Sequence, residues 1–135
     1  MAKDYQIFIS HSWKYPDDLK NLRSLLEERG YFNVSFQEAS QDEPINSENA
    51  SYIKSVLKKK ILDSDIVLGI AGMYASYSDW IAWELETADN NSIPIVGVIP
   101  RGQERISATV TQYSKEDVRW NTESIVAAIR KWAKD

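Results

Sequence analysis

Asp65-Ile66-Val67-Leu68-Gly69-Ile70-Ala71-Gly72, "DIVLGIAG", is the stretch that decides the fold. After its aspartate every residue is apolar or glycine, and the run is too short for a buried helix. A strand wetted on one face alternates apolar and polar residues, whereas a strand covered on both faces has no need to. The run therefore predicts a central strand of a parallel sheet with helices on both sides. Ile93–Pro100, "IPIVGVIP", repeats the signal, with Pro94 at the strand start, where a missing N–H is tolerated. Tyr5–Ser10, "YQIFIS", reads as a third buried strand.

Helical spacing fills the intervals. Pro16 opens a pattern that puts Leu19, Leu22, Leu25 and Leu26 on one face, with Gly30 as a stop signal. Ile53, Val56, Leu57 and Ile61 share another face, and Ile125, Val126, Ile129 and Trp132 mark a closing helix over Glu123–Ala133. "YFNVSF", Tyr31–Phe36, alternates like a strand, and "VTQY", Val110–Tyr113, reads as a short edge strand. Strand and helix alternate along the chain. That order predicts an α/β fold, a flavodoxin-like three-layer sandwich around a central five-stranded parallel sheet, as a single domain over residues 1–135. Ligands of such sheets bind beyond the carboxyl ends of the strands, where strand order reverses. The residues to inspect are then Ser10-His11-Ser12-Trp13, the polar loop Glu38–Asn49 and residues 71–80.

Composition excludes several classes of function. The chain of 135 residues has no cysteine and one histidine, so disulfides, thiolate zinc sites, cysteine nucleophiles and multi-histidine metal sites are ruled out. Net charge is −4, which argues against a primary role in binding nucleic acid, a role that usually needs a basic face. Lys58-Lys59-Lys60 closes a predicted helix and meets the negative end of its dipole; a phosphate-binding patch is the alternative. No signal-peptide pattern and no apolar stretch of about 20 residues is present, so no membrane partner and a cytoplasmic location are expected. "SHSWKYP" after the first strand has no glycine for a flavin phosphate loop. An acceptor aspartate of the receiver type is missing from "GIAG", and no G-x-G-x-x-G occurs. Ser10 and Ser12 flank His11 without a convincing catalytic order; they satisfy loop backbone, contact a ligand, or do both.

Ser78–Glu86, "SDWIAWELE", begins a helix with Ser78 or Asp79 as its N-cap. Its four-residue spacing gives Ile81 and Leu85 to the sheet, lines up Trp80, Glu84 and Ala88, and leaves Glu86 in solvent. Core or rim packing accounts for either tryptophan alone. A carboxylate among aromatics near the crevice makes Glu84 a candidate for chemistry.

"YQIFISHSW" resembles the first box of TIR domains, and "DSDIVLGIAGMYASYSDWIAWELETA" resembles their third-strand region with its W-x-x-x-E pattern, here Trp80 to Glu84. "FISHSWKYPDDLKNL", "YSDWIAWELETA", "IPIVGVIPRGQERIS" and "VRWNTESIVAAIRKW" are most similar to the TIR-like branch that includes the ThsB type of the bacterial Thoeris anti-phage system. The resemblance implies an enzyme that consumes NAD as substrate and needs no cofactor. It would break the nicotinamide–ribose bond and yield ADP-ribose or a cyclised or conjugated relative as a signal. It implies Glu84 as the catalytic carboxylate, with Phe8, Ser10, His11 and Trp80 in the substrate pocket. It also implies self-association and a signal-activated effector of the ThsA type as partners. The loop reads "QDEPIN" where receptor TIR domains carry R-D-x-x-P-G, which departs from receptor-style assembly. No sensor domain is apparent, so sensing would use the domain's own surface or another protein. The alternative is a catalytically inactive TIR-like interaction module, with Met73, Tyr74 and Tyr77 at its rim.

Loss of nicotinamide leaves positive charge on the ribose, which a nearby carboxylate stabilises. Trp80, Trp83 or Tyr77 would stack on a flat ring and exclude water. The carboxylate must be ionised for this role. Burial works against ionisation, so compensating hydrogen bonds are expected around Glu84.

Overall fold

The computed structural model describes residues 4–11, 16–37, 50–72, 79–100 and 107–133. Strands β1 (Asp4–Ser10), β2 (Asn33–Gln37), β3 (Ile66–Ile70), β4 (Ile95–Ile99) and β5 (Glu116–Arg119) form one parallel sheet in the order β2-β1-β3-β4-β5. The helices between and after them are α1 (Pro16–Glu27), α2 (Ala50–Leu62), α3 (Asp79–Asn90), α4 (Ala108–Tyr113) and α5 (Thr122–Trp132). This is the flavodoxin-like α/β sandwich expected from the apolar runs. Every residue of β3 and β4 is buried, because helices cover both faces.

Two apolar clusters lie on opposite sides of the sheet. Ile7, Ile9, Leu68 and Val96 pack against Leu22 and Leu26 of α1 and Ile125 and Ile129 of α5. Phe8, Val67 and Ile95 pack against Leu57 and Ile61 of α2, Ile81 and Leu85 of α3 and Val110 of α4. Successive strand residues alternate between the clusters, which fixes which face each side chain serves. Each fully buried Leu or Ile contributes about 1.5–3 kcal/mol, so a register slip of one residue would be costly.

β1 lies between β2 and β3, so the chain reverses its direction of travel across the sheet there. The carboxyl end of β1, at Ser10, therefore marks the switch point. α3 ends in a turn that fixes its length. Ile93 N–H donates to Ala88 O (2.9 Å) and Ser92 N–H to Asp89 O (3.1 Å), with Ser92 left-handed at φ 60°. Ala88 and Ile93 both join the α2–α3–α4 cluster.

Three elements differ from expectation. "VTQY" is the end of α4, not an edge strand. Ser107 caps that helix, its Oγ accepting from Val110 N–H at 3.4 Å, and Val110 is wholly buried. The edge strand is "EDVR", in which only Val118 is buried, so it carries no apolar run to read. The turn before β2 places Tyr31, not Gly30, in the left-handed region (φ 59°), with 96% of its surface exposed. Arg130 Nη2 donates to Tyr31 O (3.1 Å) and Arg29 Nη1 to Gly30 O (2.6 Å), holding the turn. Among the described residues no helix is long and apolar enough to cross a membrane.

Candidate active site

Ser10 and Glu84 meet at the switch point although they are 74 positions apart in sequence. Ser10 closes β1 on the face that Phe8, two residues earlier, turns toward α2 and α3. Glu84 lies in the second turn of α3, between Ile81 and Leu85, which anchor the helix on that face. Ser10 Oγ donates to Glu84 Oε1 at 2.7 Å, the short length of a hydroxyl bound to a carboxyl oxygen. Ser10 is fully buried and Glu84 is 3% exposed.

Burial pushes the Glu84 carboxyl up to about 8, and the Ser10 hydrogen bond, which pulls the other way, does not offset it. The compensation expected from sequence is thus partial, and the resting carboxyl holds its proton at neutral pH. A cation arriving beside it would favour the ionised form and release that proton.

The other sequence-selected residues that the structure describes stand on or beside the two elements that carry this pair. His11 follows Ser10 and is buried. Trp80, one turn before Glu84, is half-buried and meets Trp83 edge to face, with ring centroids 5.9 Å apart at 87°. Phe8 is fully buried within the α2–α3–α4 cluster, so it supports the strand end from inside the core. Glu86 is exposed, as its spacing implies. Ser12, Trp13, the 38–49 loop, Met73, Tyr74, Tyr77 and Ser78 lie outside the described residues.

Sequence reasoning missed two features. Lys54 of α2 holds its ammonium 5.9 Å from the Trp83 ring centroid, a placement its own helix does not signal. Gly69 and Gly97 pair across β3 and β4 and continue the register row of Ser10. Their signal was legible, since each central strand, "IVLGI" and "IVGVI", carries an interior glycine where a bulky residue is the norm.

Two clefts among the described residues lie elsewhere. One of about 560 Å³ is lined by residues including Ser24, Leu25, Arg29 and Trp120; another of about 420 Å³ lies between β5 and α5. In the larger, the charge of Arg29 is already taken up by Glu123 (2.9 Å). Neither cleft is lined by Glu84, Ser10 or Trp80. The buried carboxyl at the switch point is the more chemical of these places. Among the described residues no group of three or more His, Cys, Asp or Glu is placed to hold a metal ion.

Comparison with known proteins gives the family and the fold. The family model described as "Thoeris protein ThsB, TIR-like domain" matches residues 8–105, a span that contains Ser10, His11, Trp80 and Glu84. A search of curated proteins returns no match. Among solved structures, the chain is similar to a 2-deoxyribosyltransferase from Bacillus psychrosaccharolyticus (TM-score 0.65, 17% identity, 89% of each chain covered). It is similar to a conserved protein from Enterococcus faecalis V583 (TM-score 0.64, 12% identity, 96% of this chain and 99% of that one). It is also similar to TIR domains of the activated Roq1 resistosome (TM-score 0.53, 16% identity, 94% of this chain and 70% of that one). At these identities the structural likenesses show the fold alone.

Proposed function

Because the chain belongs to the TIR-like domain family of the Thoeris protein ThsB, we propose that it cleaves NAD and makes an ADP-ribose-derived signal, cyclic or conjugated, in bacterial anti-phage immunity. The observation that carries this reading is the buried Ser10–Glu84 pair at the switch point. Glu84 is the catalytic carboxylate of the proposal, and Phe8, Ser10, His11 and Trp80 form or support the substrate pocket. The whole of residues 1–135 acts as one cytoplasmic domain.

The chemistry follows from charge. Nicotinamide in NAD is a cation, so it leaves without a strong general acid. The bond between its ring nitrogen and ribose C1′ breaks, and the electron pair goes to the ring. Positive charge passes to the ribose. An ionised Glu84 beside C1′ stabilises that charge, and the Ser10 hydroxyl holds the carboxylate in place. The substrate's cationic ring favours the ionised form, so binding expels the carboxyl proton. Trp80 stacks on a flat ring and narrows access for water. The ribosyl cation is then captured by water or by another nucleophile, whose proton is released in the same step. Capture by a group of ADP-ribose itself gives a cyclic product; capture by another molecule gives a conjugate.

The partners in this reading are NAD, further copies of the chain, and an effector of the ThsA type that the product activates. The test is nicotinamide release from NAD by the purified protein and by Glu84→Gln. Loss in the variant with an unchanged fold supports the reading, and near-normal turnover overturns it.

One observation favours a second reading, a TIR-like interaction module without catalysis. Ser10 and Phe8 are wholly buried and Glu84 nearly so, leaving the carboxyl closed to a ligand in this conformation. Under that reading Glu84→Gln would preserve anti-phage protection, whereas the enzymatic reading has it abolished.

A further inference from the structure

Gly69 and Gly97 sit side by side in the two central strands, in a register row that runs Ser10, Gly69, Gly97, Asp117 across the sheet. An interior glycine weakens a strand and commonly marks a close approach. Here two helices make that approach. A Cβ built on Gly69 would lie 3.3 Å from Val110 Cγ1 and 3.6 Å from Leu85 Cδ2. One built on Gly97 would lie 3.0 Å from the same Val110 methyl and would collide with Asp117 Oδ1. Val110 of α4 and Leu85 of α3 are both fully buried, so they occupy the trough that the missing side chains leave. Leu85 directly follows Glu84.

We propose that Gly69 is a positioning residue for Glu84. Its missing side chain lets Leu85 and Val110 seat α3 and α4 close to the sheet, and this seating brings the Glu84 carboxyl to Ser10. The inference rests on Glu84 as the working carboxylate of the proposed function. Ser10 and Gly69 are register partners, so a side chain added at 69 enters beneath the helix that carries Glu84. On the Gly97 side Val110 Cγ1 already lies 3.0 Å from where a Cβ would stand, so the valine fills that part of the trough. It moves outward instead, and close packing transmits that shift to Leu85 and α3.

Moving α3 outward has two opposed effects on the Glu84 carboxyl. Water gains access, which lowers its titration midpoint; the Ser10 bond weakens, which raises it. Burial is the larger cause of the present shift, so the net movement is downward. The titratable groups on the surrounding elements include His11 beyond β1, Lys54 on α2, Tyr113 on α4 and Asp117 on β5, and no titratable group is among the causes of that shift.

The test is an infrared pH titration of the protonated-carboxyl band, assigned by its loss in Glu84→Gln. It needs no turnover, so it fails or succeeds independently of the NAD reading. Gly69→Ala is expected to lower the midpoint by about one pH unit. Val110→Ala, which loosens the same core without adding a side chain under α3, leaves the midpoint in place. The double variant Gly69→Ala/Val110→Ala restores the wild-type midpoint, because the crowded Val110 methyl is gone. An unchanged midpoint in Gly69→Ala overturns the inference, as does an equal displacement in Val110→Ala. Should Gly69→Ala alone not fold, the double variant decides. Folding with the wild-type midpoint supports the inference; failure to fold, or a displaced midpoint, overturns it.

Discussion

Two carboxyl groups mark opposite ends of one row across the sheet, Asp117 as a member of it and Glu84 through its bond to Ser10, and they are treated differently. At the β5 end, Asp117 accepts from Ser114 Oγ (2.7 Å) and Thr111 Oγ1 (3.2 Å) and stays partly open to water. At the β1 end, Glu84 accepts from Ser10 Oγ and is 97% removed from solvent, being 3% exposed. The first arrangement ties a helix to an edge strand and asks little of the carboxylate. The second holds a carboxyl under stress, pushed up to about 8 by burial. One register row of the sheet thus holds a structural acid of its own at one end and a reactive one from α3 at the other. What separates them is access to water and the supply of donors, not the residue type.

The largest effect that would sharpen this contrast is on turnover. Glu84→Gln should reduce nicotinamide release at least about 100-fold, as removal of a group stabilising transition-state charge does. Asp117→Asn should leave it within about threefold, since it keeps the shape at the far end of the row. Equal losses in the two variants, read by chromatography of nicotinamide, would erase the distinction.

The next effect is on pH dependence. The ionised carboxylate is the working form, so kcat/KM should rise about tenfold per pH unit below the Glu84 midpoint near 8 and level off above it. Ser10→Ala removes the bond that lowers the midpoint, so its profile should move to higher pH. A flat profile between pH 6 and about 9 would break the link between burial and chemistry.

Stability should carry the same signature. In the unfolded chain Glu84 titrates near its ordinary value of 4.5, and in the folded chain near 8. Between those values the folded state binds the extra proton, so its stabilising contribution is full below about pH 4.5 and is lost as pH rises toward 8. Relative to wild type, Glu84→Gln should therefore gain stability with pH across that window, by about 1.4 kcal/mol per unit at most. Denaturant titrations at a series of pH values measure this. A variant that tracks the wild type at every pH in that window would contradict the account.

The smallest effect concerns a turn remote from both acids. Tyr31 is held left-handed at φ 59°, so Tyr31→Gly should stabilise the protein by about 0.5–1 kcal/mol with turnover unchanged. Thermal unfolding checks it, and a destabilised variant would show that the exposed ring contributes more than the backbone strain costs.

The sequence was most legible where burial is complete. β3 and β4 are covered on both faces, so "IVLGI" and "IVGVI" had to be apolar, and their reading set the sheet. β5 was misread for the opposite reason. An edge strand with one buried residue, "EDVR", needs charge to discourage further pairing, and its neighbour "VTQY" looked more strand-like while forming α4. At the site, four-residue spacing separated Glu84 from Glu86, and the family pattern singled out Ser10 and Trp80. Phe8 is fully buried in the α2–α3–α4 cluster. The extent of Glu84 burial was beyond spacing arguments. In the account proposed above it depends on Gly69, whose effect lies in the side chain it lacks and in helices far along the chain.

Mass spectrometry of NAD-derived products from phage-infected cells tests the central claim most directly, comparing wild type with Glu84→Gln. The account predicts that NAD falls and nicotinamide and an ADP-ribose-derived species appear with the wild-type chain, and that none of these changes occurs with the variant. The same products at the same levels in both would contradict it.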